Sequence, residues 1–425
     1  MHLTPIYAAN NAFFGEKNMD YPVKNIYKEL KNKKAVVAVP GSKSITARAL
    51  FIAALAKGTS TLYGAGLSDD CLTFIDCLKS LGINVYLNGT TVTVEGCGGR
   101  LPVKSGEVYV GSAGTAARFI TALLAFSEGE FVVRSSEQMK KRPMGDLISA
   151  LEKAGACFEF LEREDCFPFK ICGTSAPAKE ITVDITRSSQ FMSAVLMAGV
   201  CAAGGMTVKA VGNHGMDYIN MTCDIMWSFG VEVSAGDGGV YAVNGTYSAR
   251  KYDIEPDISA ACYFYAINRI LGTDIKVKGV MPHTCQGDIQ FIKLMQGGFD
   301  GGEINMSSFS DQALTMAAIA PYFSKPTHIC GIEHIRGQEC DRIAAIVKNL
   351  RAMGVECEES AGGVTIYPSQ PKPADIDTFG DHRVAMSFAV TGLRADGIVI
   401  KNAEVCSKTF GEFFGVLNGL IAELA

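Results

Sequence analysis

Lys43, Ser44 and Arg48 are the residues whose types and spacing first suggest chemistry in this sequence. They open an apolar stretch that predicts a buried helix, with Ser42 or Ser44 as its N-terminal cap. At such an opening the unpaired backbone N–H groups, the helix dipole, a hydroxyl and two cations point the same way. The stretch therefore predicts an anion-binding site. It is not a nucleotide P-loop, because the Gly-x4-Gly-Lys spacing is absent.

Other basic residues also stand at predicted helix openings or in the loops before them. Together with Lys43 and Arg48 they supply seven positive charges, and Asp311 and Glu339 remove two, which leaves about five. Two ligands that each carry a carboxylate and a phosphate, the phosphate alone at roughly -1.5 to -2 charge, would nearly neutralise this excess. A sugar or one simple acid would not. The other five basic residues are Arg118, Arg142, Arg342, Arg383 and Lys408.

The composition bounds the class of protein. At 425 residues, with 48% hydrophobic and 20% charged residues, the chain predicts two globular domains of about 200 residues each. A formal charge of -5 gives no reason to expect nucleic acid or a membrane as partner. Fourteen cysteines without a CxxC pair favour reduced thiols in the cytoplasm rather than structural zinc. Residues 1–20 lack periodicity and are expected to be a disordered extension, with Met19 as an alternative start.

One supersecondary pattern returns six times along the chain. An apolar helix leads to a strand, a second helix and a strand pair, which in the first copy turns at Asn88-Gly89. Such repeats cannot bury their apolar faces alone and must pack together. Six copies therefore predict two α/β domains of three copies each. The first helix of each copy should be buried, with its polar opening at one end of the domain, and two such ends facing each other would form a cleft for anions.

The motifs, taken in order, resemble those of the 5-enolpyruvylshikimate-3-phosphate synthase family. They are PGSKS with Arg48, SAGTAAR, KKRPMG, SSQF, the QGD of residues 286–288, ECDR, GDHR and SKTF, and they cover residues 35–425. The resemblance implies two α/β domains, each an inside-out barrel of three βαβαββ units as in enolpyruvyl transferases. It also implies a discontinuous domain, residues 1–40 plus 255–425, and an inserted domain, residues 41–254.

The same resemblance implies an activity. It is the transfer of an enolpyruvyl group from phosphoenolpyruvate to the 5-hydroxyl of shikimate 3-phosphate, with release of phosphate. This addition–elimination passes through a tetrahedral intermediate, in the shikimate pathway to chorismate and the aromatic amino acids. No metal or organic cofactor is implied, and the enzyme is expected to be a cytoplasmic monomer.

Matching positions give each residue an implied role. Three residues are implied to be catalytic: Lys43, which would contact both substrates, Glu339 as the general acid and Asp311 as the base for the attacking hydroxyl. The residues implied for shikimate 3-phosphate are Lys43, Ser44, Arg48, Ser188, Ser189, Gln190, Tyr218, Asp311, His334 and Gln338. Those implied for phosphoenolpyruvate are Lys43, Gly114, Thr115, Arg118, Arg142, Gln190, Arg342, His382, Arg383 and Lys408.

Four positions depart from the family pattern. Ser112 and His334 stand where asparagine is usual, and Gly215 stands where a serine usually helps to hold the substrate phosphate. Gln338 replaces a lysine before the acidic residue, which removes a charge. A lost charged contact is worth about 1.5–3 kcal/mol, enough to slow turnover by roughly one or two decades.

Two alternatives stay open at this point. UDP-N-acetylglucosamine enolpyruvyltransferase shares the architecture, but it usually shows Lys-Asn rather than Lys-Ser in the first motif. A weakly active or non-catalytic paralogue that binds phosphorylated ligands is the other alternative, and Gln338 is the reason to consider it.

Overall fold

The computed structural model describes residues 19–27, 30 and 32–424. These form two compact units. We call Gly41–Glu255 the inserted unit, and the residues up to Pro40 together with Pro256 onward the split unit. The sequence predicts Glu255 in the discontinuous domain, which corresponds to the split unit, whereas the structure places it in the inserted unit. Of the predicted N-terminal extension, residues 1–18 lie outside the described residues, whereas the backbone N–H of Met19 donates to Glu404.

The strands are short and spread over the whole described chain. They are β1 Tyr21–Pro22, β2 Lys34–Val37, β3 Lys57–Tyr63, β4 Asn84–Asn88, β5 Thr91–Cys97, β6 Ser105–Tyr109, β7 Gly129–Arg134, β8 Cys157–Phe160, β9 Phe169–Gly173, β10 Glu180–Asp184, β11 Met206–Val211, β12 Val233–Gly236, β13 Val240–Val243, β14 Lys251–Asp253, β15 Asp274–Val277, β16 Gly302–Asn305, β17 Thr327–Cys330, β18 Cys357–Ser360, β19 Gly363–Ile366, β20 Ala374–Ile376 and β21 Ile398–Ile400.

The helices alternate with these strands. They are α1 Lys43–Leu55, α2 Asp69–Ser80, α3 Gly114–Ala125, α4 Glu137–Lys140, α5 Gly145–Lys153, α6 Gln190–Ala198, α7 Met216–Ser228, α8 Ile258–Leu271, α9 Ile289–Gln296, α10 Ala313–Ile319, α11 Arg342–Ala352, α12 His382–Gly392 and α13 Phe413–Leu424. Short 3₁₀ turns at Ser310–Gln312, Glu333–Gly337 and Ala403–Lys408 lead into or out of helices of the split unit.

The inserted unit contains three four-stranded sheets of one design. Each begins with a parallel pair and continues with two antiparallel strands, in the orders β14-β3-β5-β4, β6-β7-β9-β8 and β10-β11-β13-β12. The strand β14 comes from the end of this segment but pairs in parallel with β3 near its start. The end of the segment therefore completes its first sheet.

The split unit repeats the design less evenly. One sheet, β16-β17-β19-β18, matches those of the inserted unit, while β15-β2 has two strands and β1-β21-β20 has three. The strand before the first predicted helix is β2, and it pairs with β15 of the split unit rather than with a strand of the inserted unit. The chain thus leaves one unit and enters the other at Pro40 and Gly41.

The prediction that the first helix of each copy is buried is confirmed. Every residue of α1 from Ile45 to Leu55 is buried, and α10 and α12 are buried throughout. Within the inserted unit α3 packs against α1 and α6, and within the split unit α12 packs against α10 and α8. A helix that is apolar on all sides must be covered by other elements. Only its opening turn is therefore left to contribute polar groups to a binding site. Among the described helices, none is both long and apolar enough to cross a membrane.

Candidate active site

The opening of α1 is built as the sequence predicts. Ser42 is the N-cap, and its hydroxyl accepts a hydrogen bond from the backbone N–H of Ile45. Lys43 Nζ lies 3.2 Å from Asp70 Oδ2, and Asp70 comes from the first turn of α2. Both side chains are largely buried, so the pair holds the lysine at the helix opening in a fixed place.

Arg48 joins three helices of the inserted unit. Its Nε donates to Thr222 Oγ1 on α7 (2.7 Å), and its Nη2 donates to Ser193 Oγ on α6 (3.2 Å). Its Nη1 donates to the carbonyl of Ser44 (3.0 Å), and its Nη2 also reaches the carbonyl of Tyr218 (3.3 Å). These bonds orient Ser44 and Tyr218, two residues predicted to bind shikimate 3-phosphate.

Arg118 and Arg142 converge on Gly114, where α3 begins. A Cβ atom at Gly114 would lie 2.5 Å from Arg142 Nη1 and 2.8 Å from Arg118 Nη1, so both guanidinium groups lie against its Cα. Arg118 is buried and donates to the carbonyls of Gly114 (3.0 Å) and Pro143 (3.1 Å). The N-cap Ala113 offers no side-chain acceptor to the opening turn of α3. Two cations beside helix N–H groups suit a carboxylate or a phosphate.

Ser188, Ser189 and Gln190 form the opening of α6. The backbone N–H of Gln190 donates to Ser188 Oγ at 3.3 Å. Within the described chain, Gln190 Oε1 is buried and has no hydrogen-bond partner. Gly215, with φ +64°, is the N-cap of α7, and a Cβ there would lie 2.4 Å from Ser189 Oγ. The Ser189 hydroxyl thus takes the space that a side chain at residue 215 would need, which gives a physical reason for this departure from the family.

Arg342 is the centre of an ion network in the split unit. Its Nη1 lies 3.1 Å from Asp311 Oδ1, its Nη2 lies 2.8 Å from Glu339 Oε2, and its Nε lies 2.8 Å from Asp381 Oδ2. Arg342 is 2% exposed. Burial disfavours its charged form, but the three carboxylates outweigh that effect and raise the pKa of Arg342.

Arg383 and Lys408 extend this network. Arg383 Nη2 lies 2.9 Å from Asp311 Oδ2, and Lys408 Nζ lies 3.7 Å from Glu339 Oε1. Asp311 is therefore held between two guanidinium groups, and Glu339 between a guanidinium and an ammonium group. Three cations and the two candidate proton-transfer carboxylates meet here, although they come from four separate segments of the chain.

Asp288 lies behind this network and was seen in the sequence only as part of a motif. Its Oδ2 accepts hydrogen bonds from Gln312 Nε2 (2.7 Å) and from Ser259 Oγ. Burial, followed by the negative charge of Asp311, raises the pKa of Asp288 to about 6, and Arg383 partly offsets this. The split unit thus contains a buried carboxyl group whose pKa lies above that of an ordinary aspartate.

The remaining predicted residues lie near these groups. His334 Nε2 is 2.7 Å from the hydroxyl of Ser310, the residue before Asp311. His382 is buried as the first residue of α12, with its Nδ1 3.7 Å from Asp381 Oδ1. Gln338 is partly buried and directly precedes Glu339. Ser112 belongs to the turn before α3, and Thr115 to the first turn of that helix.

Two carboxylates correct the charge count made from the sequence. Asp70 pairs with Lys43, and Asp381 pairs with Arg342, so the excess of about five positive charges falls to about three. Both aspartates begin helices, where an acidic residue is ordinarily explained by the helix dipole or by capping. Their pairing with a cation has one signal in the sequence. Each aspartate lies at the start of a helix in a repeat that also carries a predicted cation.

The fold matches solved structures along almost its whole length. Two structures of EPSP synthase from Acinetobacter baumannii superpose with TM-scores of 0.79 and 0.77, each at 24% identity. The first covers 95% of this chain and 98% of its own, and the second covers 94% and 97%. The predicted fold class, two α/β domains of the enolpyruvyl transferase type, is confirmed.

Sequence similarity identifies the family. A 3-phosphoshikimate 1-carboxyvinyltransferase from Nostoc sp. is 40% identical over 403 residues, which cover 89% of this chain and 95% of the relative. One from Vibrio cholerae is 36% identical with the same coverage. The family model of EPSP synthase (3-phosphoshikimate 1-carboxyvinyltransferase) matches residues 28–417. The chain belongs to the EPSP synthase family, a family of transferases in the shikimate pathway to aromatic amino acids.

This finding confirms the predicted resemblance. It does not favour the UDP-N-acetylglucosamine enolpyruvyltransferase alternative or the non-catalytic one.

Proposed function

We propose that this chain transfers the enolpyruvyl group of phosphoenolpyruvate to the 5-hydroxyl of shikimate 3-phosphate and releases inorganic phosphate. Family membership supports the reaction. The observation that carries the proposal is the ion network of the split unit, where Asp311 and Glu339 lie within 4 Å of three cations. A reaction that moves two protons while a phosphate departs needs this set of groups.

The two substrates draw on different groups of residues in this proposal. Ser44, Arg48, Ser188, Ser189, Gln190, Tyr218, His334 and Gln338 bind shikimate 3-phosphate, and Asp311 contacts its 5-hydroxyl. Gly114, Thr115, Arg118, Arg142, Arg342, His382, Arg383 and Lys408 bind phosphoenolpyruvate. The convergence of Arg118 and Arg142 on Gly114 supports the second assignment. Lys43 contacts both substrates, and Gln190 lies close to each.

The proposed chemistry follows from the two carboxyl groups. Glu339 donates a proton to C3 of phosphoenolpyruvate, which makes C2 electrophilic, and Asp311 takes the proton of the 5-hydroxyl as its oxygen attacks C2. The tetrahedral intermediate then expels phosphate, which takes the proton held by Asp311, and C3 returns its proton to Glu339 so that the double bond forms again. Cations around the departing phosphate lower the barrier to this second step.

Anionic substrates must compete for cations that already hold carboxylates. Arg342 and Arg383 clamp Asp311, and Arg342 and Lys408 hold Glu339. We infer that the carboxylate and phosphate groups of phosphoenolpyruvate weaken these ion pairs when they bind. Such an exchange would make Asp311 a better base and Glu339 easier to protonate, because each carboxylate would lose contacts with neighbouring cations.

Measurement of phosphate release tests the reaction directly. With both substrates present we expect equimolar phosphate and enolpyruvyl product, and with either substrate alone we expect neither. Tight binding of both substrates without phosphate release would instead favour a binding protein. UDP-N-acetylglucosamine in place of shikimate 3-phosphate should give no phosphate.

We also propose that the chain works in the cytoplasm as a monomer. The fourteen cysteines, all of them free thiols, support a reducing compartment. Light scattering coupled to size-exclusion chromatography would test the monomer, since a dimer would give about twice the mass of 45.3 kDa.

A further inference from the structure

The segment that carries Arg142, residues 139–145, connects α4 to α5 and is held by two sets of contacts within the inserted unit. The first set comes from α3, because Arg118 donates to the carbonyl of Pro143 (3.1 Å) and approaches Met139 Sδ (3.6 Å). The second set comes from residues 161–168, the loop between β8 and β9. We propose that this β8–β9 loop positions Arg142 for phosphoenolpyruvate, and that Arg163 is its main positioning residue.

The loop contacts both the backbone carbonyl and the side-chain ammonium group of Lys140. Arg163 Nη2 donates to the carbonyl of Lys140 at 3.3 Å. The carboxylate of Glu162 lies 2.8 and 3.0 Å from Lys140 Nζ. Lys140 is two residues before Arg142, whose backbone N–H closes a turn onto the carbonyl of Met139 at 3.0 Å. A displacement of Lys140 is therefore passed on to Arg142 through a short, hydrogen-bonded stretch of backbone.

A further contact reaches the other end of the segment. A Cβ atom at Gly145 would lie 2.8 Å from Asp165 Oδ2 and 3.3 Å from Asp165 Cβ. The aspartate side chain therefore packs on the Cα of Gly145, the first residue of α5. The loop thus contacts the segment at Lys140 and at Gly145, on both sides of Arg142 in the sequence.

Arg163 is itself oriented by a buried thiol. Cys166 Sγ accepts from both Nε (3.2 Å) and Nη2 (2.8 Å) of Arg163, and Cys166 is 8% exposed. An exposed arginine would otherwise sample many rotamers, so this two-point contact fixes the direction of the guanidinium group. A lysine offers a single ammonium group and cannot make the same forked contact.

Arg142 needs such external support because its guanidinium lies against the same glycine as that of Arg118. Like charges that approach one Cα repel each other, and small errors in the placement of a substrate-binding group are costly for catalysis. This inference rests on the proposed function, in which Arg142 binds phosphoenolpyruvate. It adds residues that contact no substrate and act only through Arg142.

Steady-state kinetics on the full chain test the inference. We expect Arg163→Met to raise the KM for phosphoenolpyruvate about two- to five-fold, the range of one surface ionic contact, with kcat and the KM for shikimate 3-phosphate unchanged. Arg163→Lys should not restore the wild-type value. Lys170→Met is the matched control, because Lys170 lies on β9, outside the β8–β9 loop, and pairs with Glu130 at 2.7 Å.

A second readout separates this inference from the proposed function. Hydrogen exchange of the backbone in residues 139–145 should be faster in Arg163→Met than in the wild type or in Lys170→Met, with no substrate added. If Arg142→Ala raises the KM for phosphoenolpyruvate while Arg163→Met matches the wild type in KM and exchange, the positioning role is overturned. If Arg142→Ala leaves that KM unchanged, the role proposed for Arg142 fails, and the exchange rates still decide whether the loop holds the segment.

Discussion

Arg48 and Arg118 of the inserted unit are held by different contacts from Arg342 and Arg383 of the split unit. Arg48 and Arg118 donate hydrogen bonds to hydroxyl and carbonyl oxygens of the inserted unit. Arg342 and Arg383 in the split unit donate instead to the carboxylates of three aspartate and glutamate side chains. Both arrangements fix a buried guanidinium, and the carboxylates of the second offset its charge.

This difference suggests a division of labour. Hydroxyl and carbonyl oxygens orient a guanidinium without offsetting its charge, which favours a permanent receptor for an anion. A guanidinium clamped by carboxylates must exchange partners before it binds an anion, and the exchange changes the proton affinity of those carboxylates. We therefore expect variants of the inserted unit to act mainly on KM and variants of the split unit to act mainly on kcat.

The largest expected effect belongs to the split unit. Glu339→Gln should lower kcat about 10²- to 10⁴-fold, the usual contribution of a general acid, while both substrates still bind. Single-turnover kinetics with calorimetric binding measure the two properties separately. Glu359→Gln removes an exposed glutamate that pairs with Arg336 at 2.8 Å and serves as control. Near-normal turnover of Glu339→Gln would remove its assignment as the acid.

Arg118→Ala tests the receptor role of the inserted unit. Loss of one charged contact, about 1.5–3 kcal/mol, should raise the KM for phosphoenolpyruvate roughly 10- to 100-fold. The KM for shikimate 3-phosphate should change far less. Arg134→Ala, which removes an exposed pair with Glu107 at 2.9 Å, should leave both constants as they are. The opposite ranking of the two substrates would mean that the substrate assignments are exchanged.

Gln338→Lys restores the charge that the family usually carries before the acidic residue. We expect kcat/KM to rise about ten-fold, at the lower end of what one added charged contact provides. Gln370→Lys places the same charge at an exposed position outside the candidate site and should have no effect. An unchanged rate in Gln338→Lys would show that other groups already supply the charge.

Gly215→Ser addresses a departure in the inserted unit. A side chain there must accept φ +64° and overlap Ser189 Oγ, so we expect a several-fold higher KM for shikimate 3-phosphate and a stability loss of about 1–3 kcal/mol. Gly238, at φ +71°, has open space around its Cα, so Gly238→Ser measures the cost of the backbone conformation alone. If Gly215→Ser is no worse than this control, the overlap with Ser189 is relieved at no cost.

The sequence predicts the scaffold of the site better than its contacts. Apolar stretches such as α1 are recognisable because their composition leaves no solvent face, and Ser42 caps α1 as expected. Periodicity could not show that β2 pairs with β15 or that β14 completes the first sheet, because strand pairing depends on distant parts of the chain. Asp381 was missed as a partner of Arg342 for the same reason, since residues 39 positions apart meet only after folding.

The smallest expected effect is that of Asp288, whose ionisation makes the stability of the chain depend on pH. Its pKa is raised to about 6 from 3.8, so the folded chain binds more protons than the unfolded chain between these values, and stability falls as pH rises from about 4 to 6. Asp288→Asn lacks this loss, so its stability relative to wild type should increase over that window by on the order of 2 kcal/mol. Urea denaturation at several pH values measures the difference. Asp300 is the comparison, because a hydrogen bond from Ser324 lowers its pKa. Below pH 4 the stability of Asp300→Asn relative to wild type should therefore fall as pH rises, the opposite of Asp288→Asn. A constant gap between Asp288→Asn and wild type across pH 4–6 would mean that Asp288 stays ionised, and that the cations of the split unit hold its charge as well.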